Sequence, residues 1–258
     1  MTDVSAVAAD LAAEHEALDA VLGELTDAQW ATPTPSPGWT VADQVGHLTY
    51  FDGAAVLALT DEAAFAASIG PLLEDMDGVT LHRALAPRDL LRAWRENRFR
   101  LIEVAQQVDA GGRVPWYGPS MSVRSFLTAR LMETWAHGQD VVDAVGAFRE
   151  PTERLRHICQ IGVITRRWTY ANRREEPPAV DVRLELVSPA GDVWRWGPDD
   201  APESVRGPAL DFCLVVTQRR HVDDTALETD GAAARDWMEK AQAFAGPATT
   251  GPAPRDRS

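Results

Sequence analysis

The chain has 258 residues, 45% apolar and 25% charged, which is enough to bury the core of one large domain or two modest ones. A net charge of −14 excludes general nucleic-acid binding, which needs clustered positive charge to displace counterions. No run of about 18 apolar residues would span a membrane, and MTDVSAVAADLAAEHEAL at the N-terminus has no basic n-region, so the chain reads as cytoplasmic.

Residues 3 to 28 repeat Val4, Val7, Leu11, Leu18, Leu22 and Leu25 at helical spacing, with His15 in the gap of that stripe. The segment TPTPSPG, residues 32 to 38, breaks any helix. Thr40 has the character of an N-cap, with Asp43 three residues on as its carboxylate partner, and a second helix runs from there through HLTYFDGAAVLALT. A connection around 68 to 88 contains Gly70, Pro71, Gly78 and Pro87. DLLRAWRENRFRLIEVAQQV is a third, amphipathic helix; GGRVPWYGPSM is a rigid aromatic loop. SVRSFLTARLMETWAHGQDVVDAVG is a fourth helix, with Gly146 as its C-terminal cap. One more helix is expected over about 151 to 172.

After Pro178 the texture changes. VDVRLELVSP alternates apolar and polar residues, and GDVWRWG reads as the second arm of a hairpin across SPAG. SVRGPALDFCLVVTQRR suggests a strand, a turn and a helix, and 231 to 244 a last helix. The fold class expected is mainly α with a small α+β domain. Its parts are a helical bundle over 1–172, a C-terminal domain over 179–246, and a disordered Pro-, Gly- and Thr-rich tail over 247–258. Cys159 and Cys213, each beside apolar residues, read as reduced core thiols.

The chemistry concentrates on the fourth helix. At about 100° per residue, Phe126, Ala129, Glu133, His137, Asp140 and Ala144 fall within about 40° of one line. The stripe is apolar at both ends, so it faces a core, yet its middle is ionisable, and buried groups of that kind pair or coordinate a metal. Glu133 and His137, one turn apart, can reach one ion, and His47 on the second helix stands in a similar apolar surface with Leu48 and Phe51. Two imidazoles and one carboxylate make a common catalytic zinc set and equally the facial triad of non-haem iron. An E-x-x-x-H pair is also common as a plain solvated pair on a helix, so spacing alone leaves both readings open.

The segments PTPSPGWTVADQVGHLTYFD and VPWYGPSMSVRSFLTARLMETWAHGQDVVDAVG resemble the DinB-like metalloprotein superfamily. The likeness is closest to its mycothiol-dependent maleylpyruvate isomerase branch, over about residues 3 to 170, and extends more weakly to the last domain. The resemblance implies a DinB-like four-helix bundle followed by a sterol-carrier-like domain. It implies His47, Glu133 and His137 as ligands of one divalent ion, usually zinc, and mycothiol or a similar thiol as cosubstrate. It also implies a catalytic arginine in the C-terminal domain, for which Arg206, Arg219 and Arg220 are candidates and Arg206 is taken forward.

No internal nucleophile stands out, and an open metal position can instead hold an external thiol as thiolate. The function expected is isomerisation or S-transfer on an electrophilic small molecule by that thiolate. Asp140, one turn past His137, is a candidate to orient a ligand imidazole, or else a partner for Arg130. Trp116, Tyr117 and Trp135 are candidate pocket linings or core. Two rivals stay open: a hydrolase using metal-bound water, with Asp43, Asp140 or His15 as base, and a non-catalytic binder of a metal or an apolar ligand. The partners expected are the thiol and the electrophile, with no nucleic acid and no membrane; a homodimer is an open assembly state.

Overall fold

Helix-start chemistry at Thr40 and Ser122 sets the two helices that matter most. The computed structural model describes residues 3–72 and 82–255; Gly78 of the expected connection and residues 256–258 of the tail lie outside them. The chain divides into two compact units, Met1–Arg149 and Glu150–Ser258.

In the first unit four long helices form the bundle: α1 (Val4–Gly23), α3 (Val41–Thr60), α5 (Pro87–Ala105) and α6 (Val123–Val145). Two shorter helices accompany them, α2 (Asp27–Trp30) and α4 (Glu62–Leu72). The expected helix over 3–28 therefore stops at Gly23, and α2 begins after its own capping pair, Thr26 and Gln29. Helix α4 overlaps the expected connection: Asp61 breaks the chain after α3, then accepts the Ala64 N–H at 2.9 Å and starts a new helix.

Thr40 and Asp43 cap α3 reciprocally, Thr40 N–H donating to Asp43 Oδ2 at 2.9 Å and Asp43 N–H to Thr40 Oγ1 at 3.3 Å. Ser122 accepts the Ser125 N–H at the start of α6, and Gly146, at φ +65°, closes that helix in the left-handed conformation that glycine adopts without a Cβ penalty. Leu18, Leu22, Val45, Leu48, Leu90, Trp94 and Val141 pack as one core cluster from all four long helices. The aromatic loop is pinched by a two-residue ladder, β1 (Arg113–Val114) against β2 (Met121–Ser122).

The second unit starts earlier than the expected boundary near 172. Helices α7 (Leu155–Ile164) and α8 (Arg166–Asn172), broken from each other at Thr165, belong to it rather than to the bundle. The reason is in their buried faces. Cys159 Sγ on α7 lies 3.5 Å from Cys213 Sγ on α9 (Ala209–Val216), and Tyr170 Oη on α8 donates to Asp236 on α10 (Ala232–Lys240) at 2.8 Å. Gly162 lets α7 and α9 approach, since a Cβ there would stand 2.8 Å from Phe212 Cε1.

The sheet of this unit is ordered β4-β3-β5-β6. The expected hairpin, β3 (Val182–Val187) with β4 (Val193–Trp196), is antiparallel with Leu186 opposite Trp194. Strand β5 (Glu203–Pro208) joins β3 in parallel, and β6 (Glu228–Asp230) adds an antiparallel edge. Leu184, Leu186, Trp194 and Val205 are buried, as are Phe212 and Trp237 of the helices. The tail expected to be free is in part held: Gln218 Nε2 donates to Thr249 O at 2.9 Å, and Arg255 N–H to Asp224. No helix among the described residues is long and apolar enough to cross a membrane.

Candidate metal centre

Helices α3 and α6 bring three donors to one point. Glu133 Oε2 lies 3.2 Å from His137 Nε2 and 3.8 Å from His47 Nε2, and the three ligand atoms lie within 4.8 Å of one another. Ligand distances of about 2.0–2.1 Å in a tetrahedral zinc site put neighbouring donors about 3.3 Å apart. The 3.2 and 3.8 Å separations here are close to that figure, so the donor set suits one ion. The three side chains are 15%, 24% and 12% exposed for His47, Glu133 and His137, so the cluster is enclosed yet reachable from solvent. Burial alone would raise the Glu133 carboxyl; hydrogen bonds and charge from His137 and His47 outweigh it and hold the group well below the usual carboxylate range.

Gln44, which the sequence reading left out, orients one of the candidate ligands. Thr34 Oγ1 donates to Trp39 O at 3.0 Å, so it can only accept from Gln44 Nε2, at 2.9 Å. That turns Gln44 Oε1 toward His137 Nδ1, 2.6 Å away. An amide oxygen only accepts, so Nδ1 carries a proton, and Nε2 is the ring nitrogen turned toward Glu133, 3.2 Å away. This is the arrangement of a metal-ligating histidine whose other nitrogen is held by a neighbour. Gln44 precedes His47 by three residues on α3, and that one-turn spacing is the signal that would have found it.

Aromatic rings enclose the donors. Trp39 stacks on His137 at 5.9 Å and 14°, and Phe51 lies 4.5 Å from His47. Phe51 continues to Tyr117 (5.7 Å) and Trp116 (6.2 Å), and Trp116 is stacked on the buried Phe65. Trp116 and Tyr117, partly exposed, thus belong to a wall that reaches the donors, whereas Trp135 is buried under the Arg149 guanidinium.

The remaining candidates are placed as follows. Asp140 accepts the Ser36 hydroxyl at 3.1 Å, tying the 33–39 loop to α6, and Arg130 pairs with Asp52 rather than with Asp140. Asp43 serves the α3 cap and receives Arg83 Nε at 2.8 Å. His15 is fully buried in the bundle beside Asp52. Arg206 lies on β5 of the second unit, where it donates to Glu185 Oε2 at 2.9 Å, and Arg183 and Arg195 share the same carboxylate. Arg219 and Arg220, at the end of α9, donate to the backbone carbonyls of Thr217 and Arg219.

Comparison with known proteins agrees with this architecture. Residues 11–142 match the family described as the mycothiol maleylpyruvate isomerase N-terminal domain. Two proteins of Mycobacterium tuberculosis are each 46% identical to the chain over 252 residues, covering 96% of it and 98% of their own length. They are uncharacterized protein Rv0036c of strain H37Rv and uncharacterized protein MT0041 of strain CDC 1551. Among solved structures, the mycothiol-dependent maleylpyruvate isomerase superposes with a TM-score of 0.64 over 90% of this chain and 98% of its own, at 17% identity. A mutant of that isomerase gives the same TM-score at 18% identity. At these identities the superposition speaks for the fold, mainly α with a small β-containing domain.

Proposed function

Because this chain belongs to the mycothiol maleylpyruvate isomerase N-terminal domain family, we propose that it is an enzyme that uses a low-molecular-weight thiol of the mycothiol kind on an electrophilic small molecule. The reaction is double-bond isomerisation or S-transfer, carried out at a divalent metal centre of His47, Glu133 and His137. The observation that carries the reading is the convergence of three ligand atoms within 4.8 Å, two of them on one turn of α6. A divalent ion there, most simply zinc, supplies an open Lewis-acidic position that favours a thiol in its thiolate form at neutral pH.

The chain's own residues divide the remaining work. Gln44 keeps a proton on His137 Nδ1, and Glu133, held as a carboxylate, contributes negative charge to the donor set. Trp39, Phe51, Trp116 and Tyr117 form an apolar wall that limits water around the donors, which disfavours hydrolysis of the electrophile. Isomerisation needs no further acid or base: a thiolate adds to the double bond, the resulting single bond rotates, and the same thiolate leaves. Retention of the sulfur with protonation of carbon gives the conjugate instead. In this proposal Asp140 fixes the loop that carries Trp39, through Ser36.

The hydrolase reading has less support. Asp43, Asp140 and His15, its candidate bases, are engaged respectively by the helix cap, by Ser36 and by the bundle core.

The test is metal content followed by thiol dependence. Protein purified without a metal-chelating tag should carry about one zinc per chain by elemental mass spectrometry, and Glu133→Ala should carry none. The loaded wild type should consume an α,β-unsaturated acid only when mycothiol or an analogue is present. Turnover that persists in the metal-free variant, or without any thiol, would sink the proposal.

A further inference from the structure

Three helices meet beside the metal centre in a second cluster of ionisable groups that the proposed chemistry does not use. Arg130 on α6 donates twice to Asp52 Oδ1 on α3, through Nη2 at 2.9 Å and Nε at 3.3 Å. Asp52 is fully buried and Arg130 is 3% exposed. On its other side, Asp52 Oδ2 faces His15 Nε2 of α1 at 3.7 Å, outside hydrogen-bond distance. Among the described residues, Asp52 Oδ2 and both ring nitrogens of His15 have no hydrogen-bond partner. Trp94 of α5 closes the group, its ring edge-on to His15 at 5.9 Å.

This cluster is a poor device for stability. A buried ion pair is often no better than apolar side chains of the same volume, and buried polar atoms without partners add a further cost. Its location offers a different use. Arg130 stands three residues before Glu133 on α6, and Asp52 five residues after His47 on α3. At about 1.5 Å per residue, the pair lies roughly 5 to 8 Å along those helices from the donors. It joins the two helices whose separation decides whether His47 reaches the ion that Glu133 and His137 share. Two N–H groups of one guanidinium converging on Asp52 Oδ1 fix that separation with direction as well as distance, which apolar packing does not.

We propose that Asp52 and Arg130, backed by His15, are positioning residues of the metal centre, setting the α3–α6 spacing at which the three donors share one ion. The inference rests on the metal centre proposed above and extends it to a network that touches none of the ligands. The test replaces both partners at once, Asp52→Leu with Arg130→Met, so that no charge is left buried alone. Zinc affinity of the full chain is read by chelator competition, cobalt(II) absorption reports the ligand geometry, and thermal unfolding of the metal-free protein reports stability.

The double variant should keep its thermal midpoint while its zinc Kd rises about 10- to 100-fold, the range typical of residues that support metal ligands. Its cobalt d–d bands should shift or broaden. A folded double variant with wild-type zinc affinity and an unchanged cobalt spectrum overturns the proposal. Asp52→Asn, which keeps the shape of the side chain, covers the case in which the double variant does not fold: wild-type zinc affinity there overturns the proposal equally. The two readings separate cleanly. Wild type that binds zinc but shows no thiol-dependent turnover removes the enzymatic reading alone, whereas unchanged affinity in the folded variants removes the positioning role alone.

Discussion

Gln44 Oε1 accepts the His137 Nδ1 proton at 2.6 Å, while the amide nitrogen donates to Thr34 Oγ1 at 2.9 Å. One uncharged residue thereby decides which nitrogen of a candidate ligand is free. Gln44→Leu keeps the volume and removes the acceptor. It should leave the fold intact and weaken zinc binding about 10- to 100-fold, as measured by chelator competition. An affinity within twofold of wild type would show that the tautomer is set elsewhere.

His15 predicts a pH dependence of stability. Burial, the largest influence, lowers its pKa from the ordinary 6.5 to about 4; Asp52 and Glu16 oppose the shift, and Arg98 and Arg130 add to it. Unfolding returns the ring to water, so the unfolded chain binds the proton first as pH falls. Stability from this site is therefore complete above about 6.5 and is lost progressively toward pH 4, by about 3 kcal/mol in all. Urea unfolding of wild type and His15→Leu over that window should show a shallower slope in the variant. Parallel curves would contradict the assignment.

Gly162 predicts a packing cost confined to the second unit. A methyl group there would stand 2.8 Å from Phe212 Cε1 and 3.0 to 3.1 Å from both Val216 methyls, and Phe212 is fully buried. Alanine would gain up to about 1 kcal/mol in helix propensity, but overpacking of a tight core costs about 1–3 kcal/mol. The net expectation for Gly162→Ala is destabilisation, seen as a lower unfolding midpoint with zinc affinity unchanged. A raised midpoint would mean that α7 and α9 separate freely.

Thr40→Ala removes the side chain that takes the Asp43 N–H and donates to Asp43 Oδ2. Loss of such a cap costs about 0.5–2 kcal/mol. Because α3 carries both His47 and Gln44, zinc affinity should fall along with the thermal midpoint; Thr40→Ser should restore both.

Much of this arrangement was legible in the sequence, and the exceptions share a cause. His47, Glu133 and His137 stand out because ionisable residues interrupt apolar helix faces, and Thr40, Ser122 and Gly146 because caps have their own chemistry. Gln44 did not stand out, since a glutamine in a first helical turn looks like solvent-facing surface until its partner across the bundle is known. Asp52 lies seven residues after the core residue Val45, an apolar-stripe position, yet only the fold supplies Arg130, 78 positions away. Helix α4 was hidden by Gly70 and Pro71 near its end, which read as breakers, while the start signal was the single residue Asp61. The early start of the second unit was hidden because an amphipathic stripe over 155–172 tells that a helix buries one face, not which neighbour covers it.

The first turn of α3 carries three duties at once: Thr40 and Asp43 begin the helix, Gln44 holds His137 on another helix, and His47 follows one turn later. Helix ends are where backbone hydrogen bonds open most often, and amide exchange with solvent reports that opening directly. An ion gripping His47 from α6 therefore closes a zipper at its loosest tooth. Deuterium uptake over Val41–Gly46 should slow when zinc is added, and the terminus of this one helix becomes a gauge of whether the centre is filled.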